Sequence, residues 1–395
     1  ACEPNHCEIC RDLTMQPFDF QPTTRVIFGE NAVDQLGALT KELGGRRILL
    51  VTDPGILRAG HVERALNSLQ KKPIEVFIFS AVEENPTTRH VENGVQFAKA
   101  NAPIDFIIGL GGGSAMDCAK GINFLLTNGG KMEDYWGVDK AAKLMLPSIG
   151  IPTTAGTGSE AQSFALISQE TTHIKMACGD KKARFRAVIL DPFLVKTAPL
   201  KVMALAGIDA ISHAVESYVC TRRNPISQMF ARQAWGLLEK KIETILNEPE
   251  NIAAQGQMLL GAHLAGAAIE NSMLGAAHAS ANPLTATYGI AHGIAVGLML
   301  PHVIRFNSAI VNADYAGLLA SAGISATPQA GGERLIDRIV ELKNAANLSQ
   351  RLRDCNVEKQ VLPELAKAAA SQWTGKFNPR AVTEKELLEL YEAAF

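Results

Sequence analysis

Four side chains in the second half of the chain could together hold a metal ion: Asp209, His213, His278 and His292. Asp209 and His213 are four residues apart, a spacing that places a carboxylate and an imidazole on one face of a helix. His278 and His292 are fourteen residues apart among small and apolar residues, where a buried imidazole needs a polar partner. Any one of them could be a core histidine bonded to a backbone carbonyl. The four together predict a site for a divalent metal.

Three neutral imidazoles and one carboxylate form a mixed nitrogen and oxygen ligand set. Iron(II), zinc and manganese accept such a set, whereas magnesium and calcium prefer oxygen ligands alone. The residue types therefore narrow the metal to a transition metal or zinc, and they leave the choice within that group open.

The hydrophobic pattern predicts the elements that position these side chains. Strands are predicted at 25–28, 47–52, 74–79 and 104–110, with helices at 30–43, 61–70 and 87–100 between them. This alternation is typical of βαβ units around a parallel sheet. Beyond residue 195, Ala- and Leu-rich helical patterns dominate, at 225–246, 253–270, 333–346 and 384–394. We predict an α/β domain over residues 24–195 and an all-helical domain over residues 196–395, which carries the metal ligands.

A cluster of glycines follows the predicted strand at 104–110. Gly111, Gly112, Gly113 and Ser114 lead into a helical pattern that contains Asp117. Glycines between a strand and a helix allow backbone N–H groups to approach a phosphate, which then lies at the helix N-terminus. The cluster differs from the G-x-G-x-x-G pattern, and a tight turn without a ligand is the alternative. Its place directly after a buried strand favours phosphate binding.

Two further stretches of the α/β domain could contact a nucleotide. Asp53 follows the strand at 47–52, where a carboxylate could accept hydrogen bonds from a ribose diol and repel a 2′-phosphate. This favours NAD over NADP, although Asp53 could instead be a turn residue before Pro54. Residues 151–160 are dense in threonine and glycine, which suits a loop that lines a polar ligand, and a plain Ser/Thr loop without a ligand is the alternative.

The length and the net charge of the chain limit the classes of function that it can have. A chain of 395 residues is long enough for two or three domains. A net charge of −2 gives no indication of a nucleic-acid or anionic-membrane partner. No secretory signal pattern is seen, and the apolar stretch 289–304 is interrupted by histidines and a proline, so we expect no membrane span. We expect a cytoplasmic protein.

The cysteines fall into two groups. We expect reduced and mostly buried thiols at four separated positions, Cys118, Cys178, Cys220 and Cys355. Near the start of the chain lie Cys2, Cys7 and Cys10, with His6 beside them. Three thiols and an imidazole could bind zinc, but a single C-x-x-C is a weak signal. We expect residues 1–23 to form a tail without a bound metal.

Four blocks of the chain together resemble the iron-containing (group III) alcohol dehydrogenases. The blocks are G-G-G-S-A-M-D at 111–117, I-P-T-T-A-G-T-G-S-E at 151–160, G-I-D-A-I-S-H-A-V-E at 207–216, and the histidine segments that end in L-P-H-V-I-R-F-N at 300–307. The resemblance covers nearly the whole chain from about residue 24. It implies a dinucleotide-binding α/β domain, an all-α C-terminal domain as in the dehydroquinate synthase-like fold, and a cleft between them that holds the active site. It also implies NAD as cofactor and a homodimer or larger homo-oligomer.

The resemblance also implies roles for individual residues. Asp209, His213, His278 and His292 would hold the catalytic metal, Fe2+ in preference to Zn2+. The implied cofactor-binding residues are Asp53, Gly112, Gly113, Ser114, Asp117, Thr153, Thr154, Thr157 and Lys175.

Many family members have a second histidine four residues after the third ligand, where this chain has Asn282. A side-chain amide neither gains nor loses a proton near neutral pH. The proton of the substrate hydroxyl must therefore leave through water, a cofactor hydroxyl or another residue. His263 is an extra imidazole nearby, which we expect to be a hydrogen-bonded helix residue.

These features predict a metal-dependent, NAD(H)-linked oxidoreductase that interconverts a small alcohol and its aldehyde or ketone by hydride transfer. The metal would polarise the substrate oxygen as a Lewis acid. No Lys or Arg lies between residues 251 and 304, which favours a weakly charged substrate. The alternatives are a maleylacetate-reductase-like enzyme that needs no metal, a dehydroquinate-synthase-like enzyme with an anionic substrate, and a non-catalytic nucleotide-binding protein.

Overall fold

The computed structural model describes residues 17–395. Cys2, Cys7 and Cys10, and most of the predicted N-terminal tail, lie outside this range. The strands in the described residues are β1 (Arg25–Phe28), β2 (Arg47–Val51), β3 (Glu75–Phe79), β4 (Phe106–Gly111), β5 (Gly137–Val138), β6 (Ser148–Pro152), β7 (Phe164–Ser168), β8 (Lys175–Gly179) and β9 (Ala187–Leu190).

The α-helices divide into a set that alternates with the strands and a set that follows them. The first set is α1 (Leu36–Glu42), α2 (Pro54–Arg58), α3 (His61–Leu69), α4 (Thr88–Ala100), α5 (Gly113–Asn128) and α6 (Pro192–Val195). The second set is α7 (Leu200–Val219), α8 (Pro225–Leu238), α9 (Lys241–Asn247), α10 (Ile252–Glu270), α11 (Ala276–Tyr288), α12 (His292–Ala320), α13 (Gly331–Ala345), α14 (Leu362–Ala370) and α15 (Glu384–Ala394).

Six strands form a parallel sheet in the order β1-β9-β6-β4-β2-β3. Every residue of the central strands β4 and β6 is buried, because helices cover both faces of a parallel sheet. The four strands predicted from the hydrophobic runs correspond to β1 to β4, with ends that differ by two residues at most. The prediction of an α/β fold followed by an all-helical region is confirmed.

The strand order reverses direction between β2 and β4. The strand β3 lies beyond β2, whereas β6 and β9 lie beyond β4 on the other side. In open parallel sheets, ligands bind in the crevice at the carboxyl ends of the strands where the order reverses. Asp53 follows β2 and Gly111 ends β4, so the topology brings both predicted nucleotide contacts to this crevice.

A second sheet of three strands has the order β5-β8-β7. The strands β7 and β8 are antiparallel, while β5 consists of two residues that pair with Cys178 and Gly179. The sequence pattern does not predict this sheet, because a two-residue strand has no periodicity and forms only through pairing with a distant segment. This sheet positions Lys175, a predicted cofactor-binding residue, which is the first residue of β8.

The second half of the chain is helical, with one difference from the prediction. The stretch 225–246 forms two helices, α8 and α9, and not one. The break lies at Glu239, whose backbone carbonyl accepts a hydrogen bond from Arg338 at 3.4 Å while its carboxylate accepts another from Arg338 at 2.5 Å. The arginine thereby supplies a hydrogen-bond donor to the C-terminal end of α8, where the last backbone carbonyls have no donor within the helix. Its three carboxylate partners, Glu239, Glu243 and Glu341, hold α8, α9 and α13 together.

The helices α10 and α12 are long and apolar enough to cross a membrane by length and composition alone. In the protein, 67% and 61% of their most apolar windows are buried. The helix α12 extends well past the predicted apolar stretch 289–304 and has a kink at Val311. Both helices therefore serve as core helices of this fold.

One buried cluster joins the sheet to the helices that follow it. It contains Val188 and Leu190 of β9 together with Ile208 and Ile211 of α7. The two regions thus share a core, and the domain boundary near residue 195 stays a prediction.

Candidate active site

Three helices bring the four predicted metal ligands together. Asp209 and His213 lie one turn apart on α7, His278 lies in the first turn of α11, and His292 is the first residue of α12. The Oδ1 atom of Asp209 lies 3.3 Å from the Nε2 atom of His213, 3.6 Å from that of His278 and 3.7 Å from that of His292. Three imidazole nitrogens therefore surround one carboxylate oxygen.

These distances fit a metal ion. Two atoms that each lie about 2.1 Å from a tetrahedral metal are about 3.4 Å apart. The ligand atoms of Asp209, His278 and His292 all lie within 4.8 Å of one another. Asp209 Oδ1 and His278 Nε2 are buried, and neither has a hydrogen-bond partner in residues 17–395. Because an unpaired buried polar atom is costly, the arrangement is best explained by a metal ion that these atoms bind.

Glu216 orients one of the ligands. Its Oε2 atom lies 2.5 Å from the Nδ1 atom of His278, and its Oε1 atom accepts a hydrogen bond of 2.7 Å from the backbone N–H of Ala277. A proton on Nδ1 leaves the lone pair of Nε2 free for a metal. Glu216 was not predicted as a site residue, although it lies seven residues after Asp209, which is two turns along the same helix face.

The charges of the cluster suit a cation. Burial lowers the pKa of His213 to about 4 and that of His292 to about 3, so both rings are neutral near pH 7. Burial also disfavours charge on His278, but Glu216 and Asp209 outweigh it and raise the pKa to about 9. For Asp209, burial favours the neutral acid, yet the three imidazoles together hold the pKa well below its usual range. An ionised carboxylate is thus present, and metal binding requires His278 to lose a proton.

The glycine turn forms the opposite wall of the site. Gly111 ends β4 with a φ of +152°, which favours glycine, and α5 begins at Gly113. A methyl group on Gly113 would lie 2.7 Å from Cγ2 of Thr157, so a side chain there would displace Thr157. The N–H groups of Ala115 and Met116 donate to the carbonyl of Gly112, whereas those of Gly113 and Ser114 have no partner in the described residues and suit an anion such as the predicted phosphate.

Asp53 lies beside this turn and also caps a helix. Its Oδ1 atom accepts hydrogen bonds from the N–H groups of Gly55 at 2.8 Å and Ile56 at 3.0 Å, at the start of α2. A Cβ atom on Gly111 would lie 3.2 Å from Asp53 Oδ2. Asp53 therefore has the structural role in a turn that was named as the alternative. Its contact with a ribose stays a prediction.

The three predicted threonines occupy different positions. Thr153 is buried, and its N–H donates to the carbonyl of Gly111 at 2.9 Å, which ties β6 to the glycine turn. Thr154 packs beside Gly112, where a Cβ atom would lie 3.5 Å from Thr154 Oγ1. Among the three, Thr157 lines the cleft. Thr153 thus supports the turn, and Thr157 is the one placed to touch a ligand.

A single cleft with a volume of about 260 Å³ connects the two walls. The predicted site residues that line it are Gly113, Ser114, Asp117, Thr157, Lys175, Asp209, His213, His278 and His292. The predicted residues that lie outside its lining are Asp53, Gly112, Thr153 and Thr154. The structure therefore places the predicted metal ligands and the start of the glycine-turn helix at one cleft.

Asp117 belongs to a buried network of hydrogen bonds that was not predicted from the sequence. Its Oδ1 atom accepts a hydrogen bond of 2.6 Å from the hydroxyl of Ser159 and lies 3.8 Å from the ammonium of Lys120. Lys120 also donates to the carbonyls of Ser159 and Phe164, both at 2.7 Å. Asp117 therefore helps to hold the loop 151–160 against α5, besides its place in the cleft lining.

Lys175 supplies the positive charge of the cleft. It is the one Lys or Arg in the cleft lining formed by residues 17–395, and its Nζ atom lies 3.2 Å from Asn85 Oδ1. Burial lowers its pKa, against the opposing pull of Asp117 and Asp209. The described lining of the cleft thus sets one ammonium, that of Lys175, against the carboxylates of Glu84, Asp117 and Asp209.

His263 is a hydrogen-bonded helix residue, as expected. Its Nδ1 atom lies 3.2 Å from Oε1 of Glu160, and both side chains are buried. The pair joins α10 to the loop 151–160 and lies outside the cleft lining. Glu160 was missed as its partner, because nothing in the local sequence links two residues 103 positions apart.

Comparison with known proteins supports this arrangement. Residues 22–192 match the family model described as iron-containing alcohol dehydrogenase, and residues 203–395 match that of the C-terminal region of the Fe-containing alcohol dehydrogenase family. Alcohol dehydrogenase 4 of Schizosaccharomyces pombe is 36% identical over 93% of this chain and 87% of the relative. The NAD-dependent methanol dehydrogenase of Bacillus methanolicus is 31% identical over 95% of this chain and 99% of the relative.

A solved structure described as 1,3-propanediol oxidoreductase superposes with a TM-score of 0.93 at 32% identity, covering 96% of this chain and 100% of that one. The resemblance seen in four sequence blocks is thereby confirmed over the whole fold. The chain belongs to the iron-containing alcohol dehydrogenase family and is an oxidoreductase that interconverts alcohols and their carbonyl compounds.

Proposed function

We propose that this protein is an NAD(H)-dependent dehydrogenase of small, weakly charged alcohols and aldehydes, and that Asp209, His213, His278 and His292 hold a catalytic Fe2+, with Zn2+ as the alternative. One observation carries the proposal. Three imidazole nitrogens converge on the unpaired Asp209 Oδ1 in the same cleft that Gly113 and Ser114 line.

The cofactor assignment follows from the crevice at the ends of β2 and β4. The open N–H groups of α5 suit a pyrophosphate, and Asp53 suits the diol of an adenosine ribose. A carboxylate at this place disfavours the 2′-phosphate of NADP. The relative from Bacillus methanolicus is described as NAD-dependent, which supports the same assignment.

The chain's own residues perform the remaining tasks. A metal held by the four ligands would act on the substrate oxygen as a Lewis acid. Glu216 keeps His278 in the ligating orientation through the bond of 2.5 Å. Apolar side chains in the cleft lining would exclude water from a bound substrate and nicotinamide, between which the hydride would be transferred; they are Phe164, Leu166, Ile269, Met273, Leu274 and Trp373. The amide of Asn282 neither gains nor loses a proton near pH 7, so the proton of the substrate hydroxyl would leave through water, a cofactor hydroxyl or another residue.

The charge of the cleft favours an uncharged substrate. Lys175 faces Glu84, Asp117 and Asp209, so little positive charge is left for a carboxylate or a phosphate. This weighs against a dehydroquinate-synthase-like reaction and, less strongly, against reduction of a dicarboxylate such as maleylacetate. The complete set of ligands weighs against both a metal-free enzyme and a non-catalytic protein.

The test is a substrate panel with defined metal loading. The protein is stripped with a chelator, reloaded with Fe2+ or Zn2+, and assayed by NADH absorbance with short alcohols, short aldehydes and a dicarboxylate. We expect turnover of neutral substrates with NAD in the loaded protein only. Activity of the stripped protein toward the dicarboxylate would move the chain to the metal-independent reductases, and silence with every substrate would support the non-catalytic alternative.

We also propose a homodimer or larger homo-oligomer in a reducing, cytoplasmic environment. The edge strand β1 leaves Val26 43% and Phe28 48% exposed, and an apolar sheet edge of this kind favours pairing with another chain. The four cysteines in residues 17–395 are free thiols, which suits a reducing compartment.

A further inference from the structure

A short segment near the C-terminus, residues 377–380, is bonded to all three helical regions that carry predicted metal ligands. The carbonyl of Phe377 accepts a hydrogen bond of 2.8 Å from the N–H of Thr221, two residues after α7 ends. The side chain of Asn378 reaches the start of α11 and the middle of α12. Arg380 donates to a backbone carbonyl of α12 at 3.0 Å. The segment therefore connects α7, α11 and α12 at one place.

Asn378 is held in one orientation by a second asparagine. Its Nδ2 atom donates to Oδ1 of Asn307 at 2.7 Å, and Nδ2 of Asn307 donates back to Oδ1 of Asn378 at 3.0 Å. The Nδ2 atom of Asn378 also donates to the carbonyl of Arg380 at 2.7 Å. Asn378 is only 3% exposed and Asn307 only 2%. Rotation of either amide would leave buried polar atoms unpaired, so the pair is fixed.

The start of α11 takes its hydrogen-bond acceptors from distant residues. Gly275 precedes the helix and has no side chain that could cap it. The N–H of Ala276 donates to Oδ1 of Asn378 at 3.2 Å. The next N–H, that of Ala277, donates to Oε1 of Glu216 at 2.7 Å. A Cβ atom on Gly275 would lie 2.9 Å from Oδ1 of Asn378 and 3.0 Å from Oε1 of Glu216, so glycine allows both acceptors to come this close.

The residue that follows these two N–H groups is His278, the predicted ligand on α11. Because the backbone of α11 sets the place of this imidazole, a shift of the first turn moves its Nε2 atom by a similar distance. A displacement of about 0.5 Å is enough to weaken a preorganised metal site. Glu216 bonds the imidazole itself, whereas Asn378 hydrogen-bonds to none of the four predicted ligands in the described residues.

We propose that Asn378 is a positioning residue of the metal site, which it affects through the backbone of α11 and without contact with the ion or the substrate. Asn307 anchors Asn378 to α12, and Asn378 in turn holds the turn that carries His278. The stripped protein thereby keeps this ligand in place, which raises the affinity for the metal. This inference rests on the proposed function, because it requires that the four predicted ligands bind a metal.

The experiment compares Asn378→Ala with Asn123→Ala in the intact protein after removal of metal by a chelator. Asn123 is the matched control, since it is 2% exposed and its amide bonds the N–H and the carbonyl of Leu146 at 3.0 and 2.9 Å, outside the cleft lining. Both substitutions leave buried backbone groups unpaired, so both are expected to lower the Tm of the stripped protein. Only Asn378→Ala is expected to raise the dissociation constant for Zn2+, measured by chelator competition, by about tenfold.

A second variant keeps the test decisive if Asn378→Ala fails to fold by circular dichroism. Asn307→Ala removes the anchor but leaves Oδ1 of Asn378 able to accept from α11, so we expect a smaller rise in the dissociation constant, about threefold. Dissociation constants in both variants equal to that of Asn123→Ala would overturn the positioning role and leave the metal site intact. Wild-type protein that binds no Zn2+ would contradict the proposed function itself, and this inference with it.

Discussion

The Nδ1 atom of His278 lies 2.5 Å from the Oε2 atom of Glu216, and both side chains are buried. This contact joins α11 to α7, two helices that each carry predicted metal ligands. The N-terminus of α11 is held at a second point by Asn378, whose Oδ1 atom accepts from the N–H of Ala276 at 3.2 Å. The position of His278 is therefore set by its neighbours before any metal binds.

The first prediction concerns this contact. Glu216→Gln keeps the size of the side chain but removes the charge that orients the imidazole of His278. We expect the dissociation constant for Fe2+ or Zn2+ to rise by about 10- to 100-fold. Chelator competition at about pH 9.5 measures it, so that a proton on His278 does not mask the change. Glu364→Gln, an exposed residue of α14, is the control. An unchanged dissociation constant in Glu216→Gln would mean that the contact has no role in metal binding.

The second prediction concerns the metal itself. Elemental analysis is expected to find about one metal ion per chain in the wild type after reconstitution and almost none in His278→Ala. Metal addition should raise Tm in the wild type only, because a ligand stabilises the folded state that binds it. His302→Ala changes another histidine of α12 and should behave as the wild type. Full metal content in His278→Ala would show that the metal binds elsewhere.

The third prediction tests the choice of nucleotide. Asp53→Asn removes the charge but keeps an oxygen that can cap α2, whereas Asp53→Gly removes both. We expect both variants to lower the NAD/NADP ratio of kcat/KM by about tenfold, equivalent to about 1.4 kcal/mol. Tm should fall only in Asp53→Gly. A ratio that neither variant changes would exclude Asp53 from cofactor discrimination.

The fourth prediction concerns the junction between the sheet and the helices. Glu270, at the end of α10, accepts hydrogen bonds from Arg184 Nε at 2.8 Å and from the N–H and hydroxyl of Ser163 at 2.9 and 3.0 Å. Its side chain is 8% exposed. Glu270→Gln removes the buried negative charge that faces the partly buried Arg184 and is expected to cost about 3 kcal/mol of the free energy of unfolding.

The matched control is Glu333→Gln, which breaks the exposed pair of Glu333 with Arg305. An exposed pair contributes less than about 1 kcal/mol, so this variant should unfold at nearly the wild-type urea concentration. Equal urea midpoints for the two variants would show that burial adds nothing to the Glu270 contact.

The fifth prediction concerns self-association. Val26→Lys places a charge on the exposed edge strand β1, and we expect light scattering to show a shift from the oligomer toward the monomer. Leu144→Lys changes an apolar residue that is 79% exposed outside the sheets, and it should leave the mass unchanged. An unchanged mass in Val26→Lys would exclude β1 as the interface.

Several features of the protein could be predicted from the sequence because they depend on local spacing. Asp209 and His213 are one helical turn apart in any helix that contains both. The strands β1 to β4 follow from short buried apolar runs, and the glycine turn follows from the end of such a run. The place of Asp53 directly after a strand follows from such a run as well. Each of these features is set by residues that lie close together in the sequence.

The remaining features depend on contacts between distant parts of the chain. The sequence does not show that Glu216 meets a histidine 62 residues away, or that Asn282 meets Gln372. Thr153 matches a ligand-lining pattern, yet its place at the end of β6 makes it a support for the glycine turn. Local periodicity determines which elements form and which face each side chain occupies. Only tertiary packing decides which faces meet, because the buried polar groups of each element must find their partners in another element.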